Sequence, residues 1–262
     1  MEQIVLDLDG HKEIYFLGDL HYPRGKIECF RRVLNQIEED IDARMIGMGD
    51  WIEGIAHSDP RYHPEETASI IKQSNIALNM LDEQWYGVEE LLKPVADKIL
   101  GLHYGNHGGN VVKRHSHNEL RQICRRHSIP FLQDGVAYFE LRCQKNKIKL
   151  LTMHGIGGGL SAGYPYNKLD QYGTYFEGID VVAAGHTHKL GVNIACAPLK
   201  LCKNKIKAQS QYQCSTGSFL GNYEEGVVTY GERMGYKPLP LGYIKMIIDG
   251  GMISKIYAVP ME

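Results

Sequence analysis

Five short apolar runs in this chain stop in the same way, at a glycine-flanked turn bearing Asp, Asn or His. Ile14-Tyr15-Phe16-Leu17 runs into Gly18-Asp19-Leu20-His21, and Met45-Ile46-Gly47-Met48 into Gly49-Asp50. Ile99-Leu100-Gly101-Leu102 leads to Gly105-Asn106-His107-Gly108-Gly109, a run through Ile148 and Leu150 ends at Met153-His154-Gly155, and Asp180-Val181-Val182-Ala183-Ala184 ends at Gly185-His186-Thr187-His188. Short apolar runs bounded by glycine read as buried strands. In open α/β sheets ligands bind beyond the carboxyl ends of the strands. The recurrence therefore predicts an α/β fold whose strand ends gather one polar site.

The intervening stretches suit that scheme. Ile27, Phe30, Val33, Leu34 and Ile37 recur at helical spacing between about 26 and 40, so the first two strand ends belong to a βαβ unit. Pro64-Glu65-Glu66 suits the first turn of a helix, and Ile70, Ile71, Leu78, Leu81, Trp85, Val88, Leu91 and Leu92 continue it to Pro94. This insert, at about 54–95, is expected to overhang the site as a cap, with His57 and His63 as exposed loop histidines. The pattern also predicts a helix over Val111–Arg126 with Leu120 and Ile123 inward, and a short one over Asn167–Phe176. Val136–Arg142 and Ile148–Thr152 alternate like a hairpin, and Val192–Ala197, Lys205–Cys214, Leu241–Ile248 and Ile253–Val259 read as further strands. No repeat or linker interrupts residues 1–262, so a single domain is expected.

Composition narrows the partners. A formal net charge of −2 gives no global case for binding nucleic acid or an anionic membrane, so any basic surface must be local. No apolar stretch is long enough to span a bilayer. Met1-Glu2-Gln3-Ile4 lacks the features of a signal peptide, and the 6 cysteines form no C-x-x-C pair; free thiols and a cytoplasmic location are the expectation.

Asp19, His21, Asp50, Asn106, His154, His186 and His188 form a mixed carboxylate, amide and imidazole donor set. Such a set suits Mn, Fe, Zn, Co or Ni better than an all-oxygen calcium cage. A carboxylate has two oxygens and can bridge two ions ~3.5–4 Å apart.

In this order the motifs resemble those of the calcineurin-like metallophosphoesterases, across Asp19 to His188. The resemblance implies a four-layer α/β/β/α sandwich of two mixed sheets flanked by helices, and two divalent ions, manganese first among them. It places Asp19, His21 and His188 on one ion and Asn106, His154 and His186 on the other, with Asp50 as the bridge. His107 corresponds to the family's non-ligand histidine, facing the scissile phosphate as proton donor or electrostatic stabiliser. The implied activity is hydrolysis of phosphate esters by a metal-bound hydroxide. Two departures stand out. Gly108 occupies a position where the family usually has an acid, leaving the orientation of His107 unspecified, and Gly49-Asp50-Trp51-Ile52-Glu53 lacks the continuation of the Ser/Thr protein phosphatases.

Further candidates surround the motifs. Lys113, Arg114, Arg121, Arg125 and Arg126, with His115 and His117, form either a face for a nucleic-acid backbone or a solvated helix surface. Gly157 and Gly158, within the run Gly155–Gly159, either lend backbone amides to a phosphate pocket or form a plain loop beside His154. Tyr164, Tyr166, Tyr172 and Tyr175 are read as packing residues ahead of base-stacking ones, and Lys200, Lys203, Lys205 and Lys207 as a charged hairpin. A phosphodiesterase or nuclease, acting on a nucleotide or nucleic acid, is favoured over a phosphomonoesterase. A protein-binding scaffold on the same fold is the alternative of another class.

Overall fold

The structure is a computed structural model and describes residues 1–54, 63–64, 81–115, 118–133, 135–143, 145–159, 161–196, 199–202, 205–226 and 228–261. Its strands are β1 (Glu2–Asp7), β2 (Lys12–Leu17), β3 (Ala43–Gly47), β4 (Ile99–His103), β5 (Phe131–Gln133), β6 (Ala137–Cys143) and β7 (Asn146–Met153), followed by β8 (Val181–Ala184), β9 (Leu190–Cys196), β10 (Lys200–Cys202), β11 (Lys205–Lys207), β12 (Ser210–Thr216), β13 (Leu241–Asp249) and β14 (Met252–Met261). Twelve of these make two mixed six-stranded sheets, ordered β14-β13-β2-β3-β4-β5 and β1-β6-β7-β8-β12-β9, while β10 and β11 pair as a separate hairpin.

Side-chain alternation explains why the sheets stack. In β2, Ile14 and Phe16 point to one face and Tyr15 and Leu17 to the other. The first pair joins Ile46, Met48, Leu150, Val181 and Ala183 in a core between the sheets. The second pair packs under the helix Ile27–Glu39, whose buried Phe30, Val33, Leu34 and Ile37 form one apolar stripe. The helices Leu81–Leu92 and Glu119–Arg126 contribute to the same outer core through Trp85, Val88, Leu120 and Ile123. On the far side Leu151, Met153 and Val182 pack against Leu169 of the helix Tyr164–Gly173. The result is the expected α/β/β/α order of layers.

β2, β3 and β4 run parallel, as do β7 and β8. Their carboxyl ends point one way in each sheet, and those ends are where the recurring motifs lie.

Several boundaries differ from the sequence reading. The span Val111–Arg126 is not one helix: a helix begins already at Asn106 and runs to His115, and a second covers Glu119–Arg126 with the Asn118 side chain accepting from the Arg121 amide. An Asn N-cap signals a new start. The short helix begins at Tyr164, where Pro165 suits the first turn, and ends at Gly173. Lys205–Cys214 is divided between β11 and β12, with Lys200 opposite Lys207 across the hairpin. Of the insert, Leu81–Leu92 is helical as expected. His57 and the helical positions from Glu65 to Leu78 lie outside the described residues, as do His117 and Lys203. Among the described residues no helix is long and apolar enough to cross a membrane, and Cys124, Cys143 and Cys214 are free thiols.

Candidate metal centre

Asp19 and His21 follow β2, Asp50 follows β3, Asn106 and His107 follow β4, His154 follows β7, and His186 and His188 follow β8. The structure brings all eight to one place. Asp19, His21 and His188 offer donor atoms within 4.8 Å of one another, and so do Asp50, His154 and His186. A third such group joins His21, Asp50 and His107 across the middle. Asn106 Oδ1 lies 2.9 Å from His154 Nε2 and 2.7 Å from His186 Nδ1. Asp50 thus belongs to two of the three groups, with a carboxylate oxygen 3.1 Å from His154 Nε2.

The backbone is held out of its ordinary range here. Asp19, His21, Asp50, His186 and His188 all have φ between 49° and 67°, a region that non-glycine residues seldom occupy and that costs of order 1–3 kcal/mol each. Concentrating that cost at one site is characteristic of function. Tight packing holds the turns in place. A Cβ on Gly105 would fall 2.1 Å from the Asp50 nitrogen, so only glycine lets the two strand ends approach. Trp51, fully buried beside Asp50, donates its indole N–H to the His103 carbonyl at 2.8 Å. The amide of His107, in the first turn of its helix, donates to Asp50 Oδ1 at 2.8 Å.

The histidines are oriented from behind. His154 Nδ1 donates to the Met48 carbonyl at 2.8 Å, and His21 Nδ1 donates to Glu53 Oε2 at 3.0 Å. Each leaves Nε2 facing inward, the arrangement in which an outer partner fixes the tautomer of a metal-binding histidine. Asp19 and Asp50 are 0% and 1% exposed, and carboxylates buried that deeply require positive charge nearby. Burial alone would raise both, but His188 beside Asp19, and His154, His107 and His21 around Asp50, bring both carboxyls below their ordinary range. Burial likewise opposes the charged form of His154, yet Asp50 pushes it up to about 9. His21 goes the other way, to about 4, through burial and the neighbouring His107. Buried carboxylates and inward-facing nitrogens are a donor set that fits divalent cations.

Glu53 is the functional residue that the sequence motifs did not single out. It is 1% exposed, accepts from His21 and from Arg24 Nη1 at 3.0 Å each, and its backbone carbonyl accepts from His107 Nδ1 at 2.6 Å. Burial would raise its carboxyl, but Arg24 and His21 hold it well below the usual range. The orientation left unspecified by Gly108 is therefore supplied from Glu53. Gly108 has its own steric reason: a Cβ there would lie 3.1 Å from the Tyr104 ring, which is 2% exposed and stacked on Trp85.

The remaining candidates divide. Gly157 and Gly158 line a cleft of about 700 Å³ that takes in Asp50, Asn106 and clustered histidines, and so does Tyr166. Lys113 is exposed and is not among the cleft's lining residues, and the Arg114 side chain lies outside the described residues. Arg126 is bound by Glu89 and Glu119, so the basic helix face is partly neutralised. Tyr172 packs in the outer core with Leu169.

No family model matches this chain, and neither does any curated protein. Solved structures are similar in their overall course. A hypothetical protein from Thermus thermophilus is 10% identical with a TM-score of 0.49, covering 95% of this chain and 99% of its own. Vacuolar protein sorting 29 from Cryptosporidium parvum is 14% identical with a TM-score of 0.47, covering 97% and 93%. A metallophosphoesterase from Sphaerobacter thermophilus is 11% identical with a TM-score of 0.42, covering 95% and 88%. At such distances the functional reading rests on the site itself.

Proposed function

We propose that this protein is a dinuclear metal-dependent phosphoesterase that hydrolyses P–O bonds, with phosphodiesters its preferred substrates. The observation that carries the reading is the pair of donor clusters, Asp19 with His21 and His188 and Asp50 with His154 and His186, linked by a third group of His21, Asp50 and His107, with His107 held by Glu53. Asp19, His21 and His188 would hold one cation, Asn106, His154 and His186 the other, and Asp50 both. Bound there, two divalent cations draw charge from phosphoryl oxygens and lower the pKa of water from ~15.7 towards ~7.

The chain's own groups do the rest. His107 donates Nδ1–H to the Glu53 carbonyl, so Nε2 is the atom left to deliver a proton to the departing oxygen. The preference for a diester follows from charge. Two of the three Lys and Arg residues described in the cleft lining are engaged within the protein, Arg24 by Glu53 and Lys189 by the carbonyls of Gly159 and Ser161, the third being Lys237. A monoester dianion would gain from unengaged cations near the metals; a diester carries one negative charge and needs them less.

The test compares bis(4-nitrophenyl) phosphate with 4-nitrophenyl phosphate on manganese-loaded protein. The diester should be turned over with a kcat/KM about tenfold or more above the monoester, a difference of ~1.4 kcal/mol. Hydrolysis of neither ester would overturn the proposal and favour the scaffold alternative.

A further inference from the structure

The cleft beyond the carboxylates is built differently from the metal-binding end. Its volume of about 700 Å³ lies within the ~300–1,000 Å³ typical of small-molecule sites. Its lining takes in Gly157–Gly159 and Tyr166 and, from the excursion between β12 and β13, Leu220, Tyr230, Tyr236 and Leu239. Tyr230 opens a short helix, Tyr230–Arg233, whose Glu232 amide donates to Thr229 Oγ1. Its ring stands edge-on to Tyr236, with centroids 6.2 Å apart at 82°.

The excursion is fastened at several points. The Tyr236 amide donates to the Gly231 carbonyl at 2.9 Å, Tyr223 Oη donates to the Tyr236 carbonyl at 2.7 Å, and Asn222 Nδ2 donates to the Lys237 carbonyl at 3.1 Å. The backbone that carries the two tyrosines is therefore held in place, and both residues line the cleft. An aromatic wall fixed beside a phosphate-binding centre has a specific use: it gives a planar ring a face or edge to pack on, worth ~1–3 kcal/mol per base where bases stack on aromatic side chains. A nucleic-acid backbone needs something else, a track of cations along its length. Among the described residues the cleft's basic lining is Arg24, Lys189 and Lys237, and the first two are engaged within the protein. Arg121 and Arg125 are not among the residues that line it.

Building on the phosphoesterase reading, we infer that the Tyr230–Tyr236 wall holds the organic group of the ester, and that the substrate is a small phosphoester bearing one planar ring of nucleobase size, not a nucleic-acid polymer. The phosphate sits at the carboxylate end and the ring lies in the cleft against the excursion.

Calorimetric titration of manganese-loaded protein with thymidine 5′-monophosphate, inorganic phosphate and a long oligothymidylate tests this without turnover. The mononucleotide should bind about tenfold or more tighter than phosphate, as the stacking magnitude implies. Tyr236→Ala should remove most of that gain while leaving phosphate binding unchanged, which also shows that the variant is folded; Tyr236→Phe should retain it. The oligothymidylate should bind within about threefold of the mononucleotide, with little salt dependence. Equal affinity for mononucleotide and phosphate, an unaltered Tyr236→Ala variant, or an oligothymidylate favoured more than about tenfold with steep salt dependence would each overturn the inference. These outcomes are separate from the activity test: ester hydrolysis without mononucleotide preference defeats the wall alone, and mononucleotide binding without hydrolysis of any ester defeats the phosphoesterase reading alone.

Discussion

Replacing Glu53 probes how the centre is supported from behind. Its carboxylate accepts two charge-assisted hydrogen bonds at 3.0 Å, one from His21 and one from Arg24, in a position 1% exposed. In Glu53→Gln the amide must turn its NH2 towards one of those donors, so one bond is lost at about 1.5–3 kcal/mol. Loss of a histidine's outer partner lowers metal affinity about 10–100-fold. The weakening should fall on the cation site of Asp19, His21 and His188, because the other cluster has its own outer partner in the Met48 carbonyl. His107 should keep its orientation, since it uses the backbone carbonyl of residue 53, which the substitution retains. Glu53→Ala breaks a buried ion pair outright and should destabilise the fold by about 3–5 kcal/mol. Manganese titration by calorimetry should show one site shifted and the other preserved in Glu53→Gln, and denaturant unfolding should report the Ala variant. Two sites with wild-type affinity in Glu53→Gln would refute the positioning role.

Other perturbations separate the roles of neighbours. Asp50→Asn should cut ester hydrolysis by ~100-fold or more together with metal content, whereas His107→Ala should cut turnover by ~100-fold with metal content nearly intact; elemental analysis beside initial rates distinguishes them, and equal metal loss in both would show His107 to be a ligand. Gly108→Asp, which places an acid after the Asn-His pair, should destabilise by about 1–2 kcal/mol in denaturant unfolding, because Tyr104, backed by Trp85, has no room to yield to a Cβ 3.1 Å away. His103 is fully buried with Nε2 2.9 Å from Thr152 Oγ1, and burial followed by the His154 charge pushes it down to about 3 from 6.5. With the folded pKa below the unfolded one, its contribution is complete above pH 6.5 and is lost as pH falls towards 3, at up to ~1.4 kcal/mol per unit. His103→Gln should therefore flatten the acid limb of the stability curve, and an unchanged slope would contradict the assignment.

What could be read from the chain follows from how local each signal is. An apolar run, a glycine and an Asp or His are adjacent in sequence, so the strand ends and the seven side chains that the fold gathers there were legible. The layer order came only with the family resemblance, because Ile14-Tyr15-Phe16-Leu17 is apolar throughout and its division between two cores is visible only in the fold. The helix at Asn106 was not legible, since Gly108 and Gly109 are poor helix formers; the bonds of the His107 amide to Asp50 and of His107 Nδ1 to the Glu53 carbonyl fasten its first turn from elsewhere in the chain and override that propensity. Glu53 was hidden for another reason: its partners lie at positions 21, 24 and 107, and no spacing along the chain announces a carboxylate that acts through a histidine and a backbone carbonyl that aims another. The tyrosine wall was equally silent. Tyr230 and Tyr236 follow the last motif by more than forty residues in the chain and meet the cleft only because the excursion folds back over the strand ends.

The claim on which the rest depends is that one shared aspartate organises two cation sites. Its most direct measurement is the manganese stoichiometry of the purified chain, taken by equilibrium dialysis with elemental analysis on wild type and on Asp50→Asn. The account predicts two ions per wild-type chain and a loss from both sites in the variant. A wild-type chain that takes up no transition metal, or an Asp50→Asn variant that still binds two ions with undiminished affinity, would contradict it.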